Sequence, residues 1–125
     1  LAAAFHDLGM WTDGTFDYLA PSIRLACDHL ARAGRSEWEG EITAMISEHH
    51  KLSRVIATPG SLVEPFRRAD WIDVTRGLRA FGLPRTLLRE VFATWPDAGF
   101  HRRLVQLALR RLRTHPLSPL PMFRL

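Results

Sequence analysis

The residues of this chain most able to do chemistry are histidines and aspartates at three places along it. His6 and Asp7 are adjacent and follow an apolar run, His49 and His50 form a pair near the middle, and Asp70 comes after two arginines and an alanine. An imidazole beside a carboxylate offers one nitrogen ligand and up to two oxygen ligands to a divalent metal ion. These five residues are therefore the candidate metal ligands and acid–base groups.

The elements that must position these residues are predicted to be helices. Residues 1–5 are typical of the last turns of a buried helix, so His6 and Asp7 come at its C-terminal end. Gly9 is predicted to end this pattern, and the aspartate–glycine turn signal within residues 10–15 predicts a loop.

Two further helices follow in the sequence. A proline near its start and a glycine at its end predict a helix over residues 21–34. The capping-box pattern of residues 36–39 starts the next helix, whose apolar stripe extends by helical steps to His49, with His50 bordering the same face. An unpaired buried imidazole is costly, so this pair is either functional or caps the exposed carbonyls of the helix end.

Asp70 lies on a third predicted helix, which begins at the capping-box pattern of residues 61–64. It shares a face with apolar residues and therefore needs an arginine, several hydrogen-bond donors or a metal ion as its partner. A short helix over residues 84–94 and a longer one over residues 99–113 complete the pattern. With no convincing strand, the sequence predicts an all-α fold, a bundle of about five to six helices.

The composition favours a single globular domain over residues 1–125, with 46% hydrophobic and 24% charged residues. No apolar run approaches the roughly 20 residues that a membrane span needs, and the single Cys27 fits a reducing, cytoplasmic setting. The net charge of +4 suits anionic ligands such as phosphate esters and is too small to argue for nucleic-acid binding. The arginines of residues 99–113 favour a solvated face or an acidic partner, and the oligomeric state stays open, a homo-oligomer included.

Three segments together resemble the HD-domain superfamily of metal-dependent phosphohydrolases. They are Ala-Ala-Phe-His-Asp-Leu-Gly at residues 3–9, Met-Ile-Ser-Glu-His-His-Lys at residues 45–51, and Phe-Arg-Arg-Ala-Asp-Trp-Ile-Asp at residues 66–73. The resemblance covers residues 1–80 and leaves residues 81–125 as a helical extension with a proline-rich tail. It implies a helical bundle that holds a divalent metal ion.

The resemblance implies that His6, Asp7 and Asp70 bind this ion, together with a histidine on a preceding helix. Because the sequence begins within a helical stretch and without a methionine, we expect it to be part of a longer protein. In two-metal members a further histidine matches His49 or His50, and a single-metal site with one of them close by is favoured here. We assign His50 to the metal ion and His49, with Asp7, to the acid–base chemistry.

The implied reaction is hydrolysis of a phosphate ester or a nucleotide by a metal-activated water. Mixed histidine and aspartate ligands suit Mn, Fe, Co, Ni, Zn or Mg. Lys51 and Arg67 or Arg68 would neutralise developing phosphate charge, although for the two arginines a role as surface charges explains the pattern equally well.

Two other functions stay open. Some relatives of the superfamily hydrate nitrile-like groups or carry out iron-dependent oxidation with a similar ligand set, and the segment Phe-Asp-Tyr-Leu at residues 16–19 resembles that branch equally well. A helical module without catalytic activity, acting in binding or regulation, is the third possibility.

Overall fold

The computed structural model describes residues 1–116, and all regular secondary structure in this range is helical. The α-helices are α1 (Ala2–Phe5), α2 (Leu8–Thr12), α3 (Leu19–Arg32), α4 (Glu39–Glu48), α5 (Val63–Val74), α6 (Arg85–Thr94) and α7 (Phe100–Thr114). One 3₁₀ turn, Ser36–Trp38, leads into α4. Because α3 to α7 have at least ten residues each while α1 and α2 are single turns, the predicted all-α fold of five to six helices is confirmed.

The chain divides into two compact units, residues 1–67 and, within the described range, residues 68–116. The division falls inside α5, earlier in the chain than residue 80, where the resemblance ends. The first unit contains α1 to α4 and the start of α5, and the second contains the rest of α5 with α6 and α7. No helix within residues 1–116 is long and apolar enough to cross a membrane.

The core of the first unit forms where α1, α3, α4 and the start of α5 meet. The buried apolar residues of this core are Ala2, Ala26, Leu30, Ile42, Met45, Ile46 and Val63. On α3 and α4 these residues recur at three- and four-residue spacing, so each helix turns one apolar stripe inward. The same stripe on α4 continues to His49, which is fully buried, as the sequence predicts.

The prediction that Gly9 ends a helix before a loop over residues 10–15 is wrong, because Leu8–Thr12 form α2. Gly9 is needed for close packing instead. A Cβ atom at this position would lie 2.6 Å from the carbonyl oxygen of Tyr18 and 2.8 Å from the backbone nitrogen of Ser22. The Gly9 N–H also donates a 2.9 Å hydrogen bond to the Ser22 Oγ, so α2 packs directly on the start of α3.

The two capping-box patterns predict where helical structure begins, but the side-chain hydrogen bonds that define a capping box are not formed as predicted. No side chain caps the 3₁₀ turn or α4, and at the start of α5 the backbone N–H of Val63 donates to the Ser61 Oγ at 3.3 Å. The Glu64 carboxylate accepts hydrogen bonds from Arg67 instead of closing the box.

In the second unit, α6 and α7 begin and end within a residue of the predicted ranges. The predicted proline-rich tail from residue 117 onward lies outside the described residues.

Candidate metal centre

His6 and Asp7 lie at the junction of α1 and α2. His6 is the C-cap of α1, and its Nδ1 lies 3.0 Å from the carbonyl oxygen of Ala3. A carbonyl oxygen only accepts hydrogen bonds, so this contact places a proton on Nδ1, and when the ring is neutral its lone pair is on Nε2. That Nε2 lies 3.3 Å from the Asp7 Oδ2.

His49 repeats the same arrangement at the end of α4. Its Nδ1 donates to the carbonyl oxygen of Ile46 at 2.6 Å, one of the carbonyls that a helix end leaves without an intrahelical partner. The remaining nitrogen, Nε2, lies 3.6 Å from the Asp7 Oδ1, beyond hydrogen-bonding distance. The His49 side chain is 0% exposed, so water does not reach this nitrogen.

The structure therefore brings His6, Asp7 and His49 together, with one ligand atom of each within 4.8 Å of the others. Within residues 1–116, the buried atoms Asp7 Oδ1 and His49 Nε2 have no hydrogen-bond partner. Leaving a buried polar atom unsatisfied costs about 1–3 kcal/mol. A cation between the carboxylate and the imidazole nitrogens would remove this cost and satisfy all three side chains.

Asp7 supplies the negative charge of this cluster. Burial acts to raise its pKa, but the imidazoles of His49 and His6 beside the carboxylate outweigh burial and hold the pKa of Asp7 well below its usual range. The carboxylate is therefore ionised although only 15% of the side chain is exposed.

Phe66, on the first turns of α5, closes one side of the cluster. Its ring meets those of His6 and His49 edge-on, with centroid distances of 5.6 Å and 6.3 Å, and the two imidazole rings meet edge-on at 5.1 Å. These contacts limit the rotation of both imidazoles and keep the two Nε2 atoms directed at Asp7.

His50 makes a different contact from His49. Its Nε2 lies 2.6 Å from the Tyr18 hydroxyl, and its ring centroid lies 3.9 Å from that of His49. Burial lowers the pKa of His50 to about 3, so its ring is neutral. Its Nε2 is engaged by Tyr18 and is not directed at Asp7.

Arg67, predicted to bind substrate, is 2% exposed. Its guanidinium donates to both carboxylate oxygens of Glu64, at 2.7 and 2.9 Å, and to the carbonyl oxygen of Lys51 at 3.0 Å. Glu64 also accepts from the backbone N–H of Val55 at 2.9 Å. The buried ion pair between Arg67 and Glu64 thus holds the segment that follows His49 and His50 through the backbone of Lys51 and Val55. Arg67 is therefore not the surface charge that the sequence pattern also allowed.

The Lys51 ammonium lies 3.3 Å from Glu48 on the preceding turn, and its side chain is 30% exposed. The roles of Lys51 and Arg67 toward a substrate stay predictions, as does the assignment of His50 to the metal ion.

Asp70 belongs to the second unit. On α5 it follows Phe66 by four residues, so the two positions share one face of this helix. Its role as a metal ligand stays a prediction from the sequence.

Sequence reasoning missed Tyr18 and Glu64. Tyr18 is the only tyrosine of the chain and has no periodic pattern around it, so nothing in the sequence pairs it with His50, 32 residues away. Glu64 was assigned to a capping box, although its spacing of three from Arg67 also fits a helical ion pair.

The structure thus supports His6, Asp7 and His49 as a group that could hold a metal ion. No protein-family model, curated protein or solved structure matches this chain.

Proposed function

We propose that this chain carries the metal centre of a metal-dependent hydrolase of the HD-domain type, which acts on a phosphate ester or a nucleotide. One observation carries the proposal. Two buried atoms, the Asp7 Oδ1 and the His49 Nε2, face each other at 3.6 Å without a hydrogen-bond partner within residues 1–116. Protein interiors rarely leave such atoms unsatisfied unless a ligand or ion completes the site.

The donors fit a divalent transition metal. Two neutral imidazoles and one carboxylate form a mixed nitrogen and oxygen set, which suits Zn, Fe, Mn, Co or Ni. Each imidazole also donates its Nδ1–H to a backbone carbonyl, of Ala3 for His6 and of Ile46 for His49, the usual support for a histidine ligand that binds through Nε2.

The geometry favours exchanging the roles that the sequence assigns to His49 and His50. We propose that His49 is the ligand, because its Nε2 is directed at Asp7, whereas the Nε2 of His50 is engaged by Tyr18. Asp70 remains the predicted additional ligand, on the resemblance alone.

A divalent ion in this centre would activate a bound water and polarise a phosphoryl oxygen. The resemblance assigns to Asp7 the role of accepting the proton of an attacking water. The ammonium of Lys51 is accessible enough to approach a substrate oxygen. The Arg67 side chain is only 3% exposed, against 30% for Lys51, so the support for Lys51 as the phosphate contact is stronger.

Metal binding is tested first, by elemental analysis and by Co²⁺ titration of the purified chain beside His6→Ala, Asp7→Asn and His49→Ala. We expect one bound ion per chain in the wild type and none in the variants. His101→Ala, in the second unit, is the matched control and retains the ion.

The metal-loaded chain is then assayed with p-nitrophenyl phosphate, bis-p-nitrophenyl phosphate and a panel of nucleotides. Hydrolysis that Asp7→Asn abolishes supports the proposal. A folded wild type that binds no metal ion, or that binds one and hydrolyses none of these compounds, contradicts it.

A further inference from the structure

Tyr18 is a buried residue with a polar end that needs a partner. It is 1% exposed, and its hydroxyl lies 2.6 Å from the Nε2 of His50, which is 9% exposed. The two rings meet nearly at right angles, at 83°, with centroids 6.2 Å apart. A short bond between two buried side chains determines the ring orientation of both partners.

The backbone of Tyr18 is anchored to the helix that follows Asp7. Asp7 is the N-cap of α2, and Gly9 on that helix packs so closely that a Cβ there would lie 2.6 Å from the Tyr18 carbonyl oxygen. Ser22 completes the contact, because its backbone N–H donates to this carbonyl at 2.9 Å while its hydroxyl accepts from Gly9. Tyr18 is therefore fixed relative to the segment that carries His6 and Asp7.

His50 transmits this position to His49. The two rings lie with centroids 3.9 Å apart at an interplanar angle of 43°. The His49 ring cannot rotate about its side-chain bonds without displacing the His50 ring. The His50 ring cannot move without breaking its hydrogen bond to the Tyr18 hydroxyl. The contacts thus form a continuous path from α2 through Tyr18 and His50 to His49.

We propose that Tyr18 is a positioning residue of the metal centre, acting through His50 to keep the Nε2 of His49 directed at Asp7. The inference rests on the proposed function, since it assigns Tyr18 a role only if His49 binds a metal ion. Tyr18 is not a ligand, because its hydroxyl is engaged by His50. Removing a group in direct contact with a metal ligand commonly changes metal affinity by about 10–100-fold. Tyr18 lies one residue further from the ion than such a group, so we expect an effect at the lower end of this range.

The test is Co²⁺ binding to Tyr18→Phe, which keeps the ring and removes only the hydroxyl. We expect an affinity roughly tenfold weaker than that of the wild type, and a shifted visible absorption spectrum of the bound Co²⁺. The spectrum reports ligand geometry, so a role for Tyr18 in packing alone would leave it unchanged.

Thr75→Val is the matched control. It removes a hydroxyl that donates a 2.6 Å hydrogen bond to the carbonyl oxygen of Trp71 in the second unit. It should cost similar stability and leave Co²⁺ affinity and spectrum as in the wild type.

A double variant tests whether Tyr18 acts through His50. His50→Gln alone should weaken Co²⁺ binding to a similar extent, and adding Tyr18→Phe to it should have little further effect. If Tyr18→Phe does not fold, as judged by circular dichroism, His50→Gln breaks the same path from its other end and decides the question by its spectrum.

The outcomes separate the two proposals. Wild-type affinity and an unchanged spectrum in Tyr18→Phe, together with loss of binding in His49→Ala, overturn the role of Tyr18 and leave the metal centre standing. Independent, additive losses in the double variant also overturn the path through His50. A wild type that binds no Co²⁺ overturns both.

Discussion

Each unit of the chain contains a histidine–aspartate cluster, and the two clusters differ in how closely the imidazole nitrogens approach the carboxylate. In the second unit, His101 directs Nδ1 at the Asp97 Oδ1, 2.5 Å away, and Nε2 at the carbonyl oxygen of Asp73, 2.9 Å away. Both of these oxygens accept hydrogen bonds, so both ring nitrogens of His101 have a partner when the ring is protonated. In the first unit, His6 and His49 donate from Nδ1 to backbone carbonyls, and their Nε2 atoms lie 3.3 Å and 3.6 Å from the Asp7 carboxylate.

The electrostatic consequences differ accordingly. Burial acts to lower the pKa of His101, but its hydrogen bonds to Asp97 and to the Asp73 carbonyl outweigh burial and raise it. Arg76 adds a second cation to the same carboxylate, at 3.1 Å. The second-unit cluster contains a hydrogen-bonded ion pair at the start of α7, whereas in the cluster around Asp7 the buried Asp7 Oδ1 and His49 Nε2 have no hydrogen-bond partner within residues 1–116. Proximity of histidine and aspartate therefore does not by itself distinguish a group that could hold a metal ion, whereas buried ligand atoms without a hydrogen bond do distinguish the group around Asp7.

The largest effect that this comparison predicts is on metal binding. His49→Ala should weaken Co²⁺ binding by more than ~100-fold, because it removes a ligand rather than a supporting contact. His101→Ala should leave Co²⁺ binding unchanged, because both nitrogens of His101 are already engaged within the protein. Isothermal titration of the two variants checks the difference. Equal losses of Co²⁺ affinity in both variants would mean that the contacts of the ring nitrogens do not distinguish the two clusters.

The next effect is on stability. Arg67→Met breaks the buried ion pair with Glu64 and removes the two side-chain hydrogen bonds of that pair, so we expect a loss of about 3 kcal/mol in the free energy of unfolding. Arg76→Met in the second unit breaks an ion pair whose arginine side chain is 64% exposed, and it should leave the urea midpoint unchanged within error. If the two substitutions shift the midpoint equally, burial does not separate the two ion pairs.

A smaller effect is expected at Gly9, which sets the packing beside Asp7. Gly9→Ala places a methyl group within 2.6–2.8 Å of the atoms of Tyr18, Pro21 and Ser22 and should destabilise the chain by about 1–3 kcal/mol. Gly40→Ala on α4 is the control, because a Cβ there meets nothing within 4 Å. This control should stabilise the chain by about 0.5–1 kcal/mol, through the better helix propensity of alanine. Thermal unfolding of both variants measures the difference, and a stabilised Gly9→Ala would disprove the close approach.

The smallest expected effect is a pH dependence of thermal stability that arises from His101 in the second unit. Because the pKa of His101 is raised above its ordinary value of 6.5, the ion pair with Asp97 stabilises fully below pH 6.5 and loses its contribution as the pH rises through the folded-state pKa. The thermal midpoint of the wild type should therefore exceed that of His101→Gln at pH 6, and the difference should shrink by pH 9. A difference that is constant from pH 6 to pH 9 would show that the charge of His101 does not contribute.

Much of the fold was predictable from the sequence, because helix ends and apolar stripes are local properties. The stripe on α4 predicted that His49 faces inward. Proline and glycine positions predicted the bounds of α3 to within two residues and the starts of α6 and α7 to within one. The failure at α2 has a physical cause. Gly9 was interpreted from its low helix propensity, but it is present because the start of α3 leaves no room for a side chain.

The sequence by itself determined that helices carry all the candidate residues, and that His6 and Asp7 come together at a helix end. Only the tertiary structure decided that His49, and not His50, directs its free nitrogen at Asp7, and that Arg67 is buried against Glu64. Helical periodicity gives the face of a helix to which a residue belongs, but the two histidines are neighbours on nearly the same face. Which nitrogen is engaged depends on partners up to 42 residues away along the chain, since Asp7 and Tyr18 reach these rings only when α2, α3 and α4 pack together.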